Sequence, residues 1–264
     1  MRIVSLNAWG GAMFEPLRDW LPGADIDVLC AQEVTRTPGV GGWTRFEDAE
    51  RSLPQRANLF EDIGTSLSAH QRSFVASDAG PVTLEDGRRL RQEFGLGTYV
   101  ADSLTIVGQV AEFVHGSFCE HDDWPTGDRP RVAHGHRVVE PATGRSVSVV
   151  QLHGLRDPAG KADTPARLAQ AHRVAAVVQA VRDDGDLTVV CGDLNLLPDS
   201  ETFAVLGELG LVDLVGEADT RTSRYAKPLR HANYCLVSDP DVVRGFVAPA
   251  TPEVSDHRPL ILDI

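Results

Sequence analysis

Cysteine pairs, long apolar runs and positive charge are all scarce in this sequence, and each scarcity narrows the function. Its four cysteines, Cys30, Cys119, Cys191 and Cys235, stand far apart with no Cys-x-x-Cys spacing, and three of them sit inside apolar runs. That argues against a disulfide scaffold or a zinc knuckle, and the thiols read as free and buried. No apolar run approaches the roughly 20 residues of a membrane span. The opening Met1-Arg2-Ile3-Val4-Ser5-Leu6-Asn7 lacks the apolar stretch and cleavage site of a secretory signal. The expectation is a soluble, cytoplasmic protein with no membrane partner. Lys and Arg number 25 against 38 Asp and Glu, a net charge of -13. Such a balance opposes the phosphate backbone of nucleic acids. It tilts the substrate toward a small phosphorylated molecule, with a polynucleotide as the alternative.

Short apolar runs bounded by turn residues recur at 2–6, 28–31, 97–100, 104–110, 137–140, 146–152, 187–191, 234–237 and 260–264. Many are β-branched, which favours strands. Helical spacing appears at 16–21 and 58–67, and most clearly at 164–181, where Leu168, Ala171, Val174, Ala175 and Val178 share a face behind a Thr-Pro start. Ser200 is a plausible N-cap for a further helix over 200–209. Residues 115–135, with His115, His121, His134 and Pro breaks, read as a loop or lid. The expected architecture is α/β, with two sheets covered by helices. The segments that carry chemistry lie at positions 7, 33, 153, 193 and 256 of 264 residues, so a cut near the middle would separate them. A single domain over 1–264 is expected.

Those segments each end a hydrophobic run. Glu33 follows Val28-Leu29-Cys30-Ala31-Gln32, placing a carboxylate where charge is costly unless it is paired or bound to a metal. Asp193 and Asn195 stand two apart after Leu187-Thr188-Val189-Val190-Cys191-Gly192, a spacing that puts both on one face of an extended segment. An Asp can position or deprotonate a water while an Asn amide donates to a phosphate oxygen. Gly, Asp and Asn also favour turns, so the motif alone admits a plain strand-ending turn. His153 ends Val147-Ser148-Val149-Val150-Gln151-Leu152, and Asp256-His257 offers an anion beside a second imidazole.

Taken together, Asn7, Gln32-Glu33, His153, Gly192-Asp193-Leu194-Asn195 and Ser255-Asp256-His257 resemble the endonuclease/exonuclease/phosphatase superfamily. That group includes deoxyribonuclease I, abasic-site endonucleases, sphingomyelinases and inositol-phosphate phosphatases. The resemblance spans essentially the whole chain. It implies a four-layer α/β/β/α sandwich of two mixed β-sheets packed face to face, with the site at one sheet edge. It also implies Mg²⁺ or Mn²⁺ held mainly by Glu33 with help from Asn7 and Asp256. By the same resemblance Asp193 and Asn195 orient water and phosphate, and His153 and His257 contact the phosphate or move protons.

One position departs from the family pattern. Before the last motif that family carries Asp-Tyr, its Asp holding the catalytic His; here the pair is Asn233-Tyr234. An amide oxygen accepts from an imidazole N–H but does not stabilise imidazolium by charge, and a comparable change in a serine protease lowers turnover about 10⁴-fold. Three outcomes follow: a slower hydrolase, an enzyme using neutral His257 as an electrostatic contact, or a fold turned to a non-hydrolytic or ligand-binding role. On the substrate side, Lys161 and Arg167 lie in the run from His153 to the long helix. Arg221 and Tyr225 lie in Thr220-Arg221-Thr222-Ser223-Arg224-Tyr225. Both runs put cations and hydroxyls where loops beside a site grip an anion. The sequence thus points to a metal-dependent phosphoesterase, with a nuclease and a diverged member as alternatives.

Overall fold

A computed structural model describes residues 1–157 and 159–264. Its strands are β1 (Arg2–Asn7), β2 (Val28–Arg36), β3 (Trp43–Glu47), β4 (Ser52–Arg56), β5 (His70–Leu84), β6 (Arg89–Ala101), β7 (Thr105–His115), β8 (Arg131–Glu140), β9 (Arg145–His153), β10 (Leu187–Asp193), β11 (Val212–Asp213), β12 (Asn233–Val237), β13 (Gly245–Val247) and β14 (Leu260–Asp263). The helices are α1 (Phe14–Trp20), α2 (Leu59–Ser66), α3 (Pro165–Val181) and α4 (Glu201–Gly207). One sheet runs β13-β14-β1-β2-β6-β5-β3-β4 and the other β11-β12-β10-β9-β8-β7. Each is mixed, since β1 and β2 are parallel in the first and β9 and β10 in the second. Among the described residues no helix is long and apolar enough to cross a membrane.

Alternation along the first strands explains the layers. Val4, Leu6, Leu29 and Ala31 face a core with Phe14, Leu17, Leu59, Phe60 and Ile63 of α1 and α2. Their neighbours Ile3, Val28 and Cys30 face the core shared with the second sheet, which continues to Val174, Val177 and Val178 of α3. Successive strand residues point to opposite faces, so an unbroken apolar run is what a strand buried on both sides requires. The expected α/β/β/α sandwich is therefore the observed one. Thr164 caps α3 by accepting from the Arg167 N–H at 3.3 Å, with Pro165 at the first helical position, and Ser200 caps α4 by accepting from Thr202.

Two sequence expectations need correction. The hairpins β3–β4 and β5–β6 extend the first sheet through sequence in which only the run 97–100, within β6, marks a strand. The 115–135 stretch is not a free lid. Residues from Arg131 onward are strand β8, and the preceding loop is pinned to β5 by backbone bonds between Ala79 and both Cys119 and His121 and by the Trp124 indole donating to the Pro81 carbonyl at 2.7 Å. Asp78 completes the anchor by accepting two bonds from Arg129, at 2.7 and 2.9 Å.

A polar file crosses between the sheets. Gln32 donates to Gln151, Gln151 to Thr98, and Thr98 meets the His134 Nδ1 at 3.2 Å; the Gln109 amide donates to the other ring nitrogen, which fixes a neutral His134. His136 stacks edge-on against it and bonds Ser73. Burial pushes His134 down to about 3 and His136 to about 4. Both values lie below the unfolded one, so their stabilisation is complete above pH 6.5 and is lost as pH falls toward 4. Between pH 7.5 and 5 the pair is expected to cost about 2 kcal/mol per histidine. Urea unfolding of wild type and His134→Gln at both pH values checks this; an unchanged slope in the variant would clear His134 of any part in acid sensitivity.

Candidate active site

The ends of four strands meet in register. Asn7 is the last residue of β1, opposite Gln32 of β2; His153 and Asp193 end the parallel pair β9 and β10 side by side; Asn233 opens β12 opposite Asp193. Gly192 makes this possible: its φ is +146°, and a Cβ there would lie 2.0 Å from the Leu152 carbonyl, so only glycine lets β10 lie against β9 at this point. Glu33 leaves the ladder at a bulge between Ala31 and Val34 with a φ of +53°, and Asn195 has a φ of +56°. Left-handed backbone at a non-glycine residue costs on the order of 1 kcal/mol or more and persists where surrounding structure over-determines it. Both strained residues belong to the predicted site.

Asn7 joins the two sheets chemically. Its amide nitrogen donates to Glu33 at 3.1 Å and to Asp193 at 2.9 Å, while its oxygen accepts from the Trp9 N–H. Two carboxylates thus share one amide. The His153 Nε2 lies 3.8 Å from an oxygen of each, and one ligand atom each of Glu33, His153 and Asp193 lie within 4.8 Å of one another. The Asp193 carboxylate also accepts from the Asn195 N–H at 3.1 Å, and the Asn195 amide donates to the Gly154 carbonyl at 3.4 Å. The metal set carried over from the resemblance is brought together only in part. Asn7 and Glu33 meet, but Asn7 presents its nitrogen, and Asp256 accepts from Arg221 Nη1 at 2.8 Å. Burial, with Glu33 and Asp193 nearby, pushes Asp256 up to about 7 against the opposing pull of Arg221.

Around His257 the departure at Asn233 acquires a geometry. The Asn233 amide nitrogen donates to the Arg258 carbonyl, so its oxygen faces the His257 Nδ1 at 2.6 Å, and the other ring nitrogen accepts from Arg221 Nη1. An imidazole that donates on one side and accepts on the other is neutral. Burial, then the charges of Arg221, His153 and Lys161, hold His257 well below its usual range. An aspartate at 233 would favour the imidazolium, which has no lone pair left for Arg221.

The predicted substrate-side residues divide. Arg221 is buried, stacks on Tyr225 with its guanidinium carbon 4.0 Å from the ring centroid, and reaches the site. Lys161 donates to the His231 carbonyl, and burial lowers it to about 8. Arg167 does not reach the site: it is buried and donates to the carbonyls of Ala162, Leu155 and Gly160, shaping the loop before α3. That corrects the expectation for Arg167, because both ends of its guanidinium fork are committed to backbone carbonyls of its own loop rather than turned to the site. Sequence reading missed Arg131, which opens β8 and lines a small pocket with His153, Ser77 and Phe94. The only signal for it was a cation at the end of a loop.

A family model describing the Endonuclease/Exonuclease/phosphatase family matches residues 4–257. The chain belongs to that family. No curated protein matches the sequence. Among solved structures of this fold, a mannosyl-6-phosphatase of Bacteroides thetaiotaomicron is 14% identical with a TM-score of 0.69, covering 100% of this chain and 98% of its own. The human Nocturnin catalytic domain with bound sulfate is 17% identical, TM-score 0.62, over 99% of this chain and 92% of its own. D. rerio TDP2 complexed with a single-strand DNA product is 14% identical, TM-score 0.62, over 99% and 97%. At such identities the likeness is one of fold. The chain has the two facing sheets of an endonuclease/exonuclease/phosphatase domain.

Proposed function

We propose that the whole chain is one domain and a Mg²⁺- or Mn²⁺-dependent phosphoesterase acting on a small phosphate ester. The observation that carries this reading is the joining of Glu33, Asp193 and His153 at the meeting point of two sheets, with two carboxylates bridged by one Asn7 amide. Clustered anions of this kind fit a hard divalent cation, and an imidazole is compatible with Mn²⁺. Glu33 would hold the ion, with Asp193 and His153 in reach and Asn7 and Asp256 beside it. Bound there, the ion supplies polarisation of a phosphoryl oxygen.

The chain's own residues do the rest. Asp193, fixed by Asn7 and by the Asn195 N–H, orients an attacking water and accepts its proton. The Asn195 amide donates to a phosphate oxygen, and Arg221 and Lys161 hold negative charge. His257 serves as a neutral contact oriented by Asn233, in keeping with its two hydrogen bonds. The net charge of -13 supports a small substrate over a polynucleotide. The mannosyl-6-phosphatase neighbour lends the same direction, as the DNA-bound neighbour lends weight to the nuclease alternative.

The test is phosphate release from sugar phosphates, nucleotides, inositol phosphates and short DNA, with Mg²⁺ or Mn²⁺ and with EDTA. Metal-dependent turnover of a small ester is expected. Cleavage of DNA alone would make the protein a nuclease, and silence across the panel would favour a diverged member marked by Asn233.

A further inference from the structure

Among the described residues Arg131 is a buried cation whose side chain has no hydrogen bond or salt bridge of its own. It is 4% exposed, and its Nε has no hydrogen-bond partner. Its neighbour Arg129 shows the contrast: Arg129 is equally buried but is paired bidentately with Asp78, which also accepts from His121 and is thereby filled. An unpaired buried guanidinium costs free energy that the fold does not recover internally. Its side chain lines the pocket with His153, Ser77, Phe94 and Leu96, and it is the strongest charge acting on His153. Asp78, already paired with Arg129, then Glu33 and Asp193 act on it too, from beyond salt-bridge distance.

We infer that Arg131 is an anion-binding residue of this site, its fork completed by oxygens of a substrate phosphoryl group, and that the group is the terminal phosphate of a phosphomonoester. The inference rests on the proposed phosphoesterase reading for the identity of the anion. Arginine suits the task because its planar fork binds two phosphate oxygens at once. Charge balance selects the monoester. Glu33, Asp193 and Asp256 are matched by Arg131, Lys161 and Arg221, so a divalent cation leaves an excess of two positive charges, which a monoester dianion cancels and a diester monoanion does not. Without Arg131 the diester would be the better match.

The experiment compares wild type, Arg131→Met and Arg131→Lys by calorimetric titration with inorganic phosphate and with dimethyl phosphate at pH 7.5, where the charges of Asp256 and Lys161 offset each other, in Mg²⁺ and in EDTA, alongside thermal unfolding. Wild type is expected to bind phosphate about tenfold or more tightly than dimethyl phosphate. Arg131→Met is expected to weaken phosphate about thirtyfold, with Arg131→Lys between. With no anion bound, Arg131→Met is expected to unfold several degrees higher than wild type, since a buried unpaired charge has become an apolar side chain. Unchanged phosphate affinity with a lower unfolding temperature would make Arg131 a counter-charge for Glu33 and Asp193 and overturn the inference. Equal binding of the two anions by wild type would overturn the monoester assignment. Should Arg131→Met fail to fold, Arg131→Lys carries the comparison. Phosphate binding lost in the variants while wild type turns over no ester would sink the phosphoesterase reading and leave Arg131 as an anion site.

Discussion

Asp193→Asn is expected to lower metal-dependent phosphate release by about 10³-fold or more, while the folded protein becomes no less stable. Asp193 is 1% exposed and is touched from four sides: by the Asn7 amide, the Asn195 N–H, His153 and, at 3.4 Å, the His257 Nε2. An Asn of the same shape keeps the position but neither takes a proton nor carries charge. Stability moves the other way because Glu33 and Asp193 are like charges sharing one amide donor, and removing one relieves repulsion on the order of 1 kcal/mol. The check is kcat and KM with the best ester of the panel, beside thermal unfolding without metal. Loss in kcat at unchanged KM would place Asp193 in the chemical step; near wild-type turnover would remove it from the mechanism.

Glu33→Ala is expected to weaken Mn²⁺ binding at least about a hundredfold and to abolish turnover with the fold intact. Residues that merely orient a metal ligand cost about 10–100-fold in affinity when lost, so a charged ligand itself costs more. Glu33 is the carboxylate that leaves its strand at a bulge in left-handed backbone, a strained conformation that alanine would still have to adopt. Calorimetric titration with Mn²⁺ reads the affinity directly, without reliance on a substrate. Retained affinity would relocate the ion, and Asp193 with Asp256 would be the carboxylates to test next.

Much of the site could be read from residues. Asn7, Glu33, His153 and Asp193 each end or follow a strand-like run and His257 precedes one, and the first four meet because parallel pairing sets Asn7 of β1 beside Gln32 of β2, and the ends of β9 and β10 side by side. Patterning also marked α3 and its Thr164 cap, since burial imposes a period and capping a residue type. Of the long β5–β6 hairpin only 97–100 was legible, because residues such as Arg72, Arg89 and Arg91 face solvent and carry no apolar signal.

Composition and local motif determined the family, the layered α/β architecture and the anionic core of the site, because those depend on period, turn chemistry and residue type along the chain. Pairing was decided only in three dimensions. Arg167 and Arg131 are both arginines near loops, yet one is spent on carbonyls while the other stands unpaired beside His153; Asp256 meets Arg221 from 35 residues away. A side chain's partner depends on which strands lie side by side, and hydrogen bonds reach only about 3 Å. Which cation is free to hold a substrate is therefore a property of the fold.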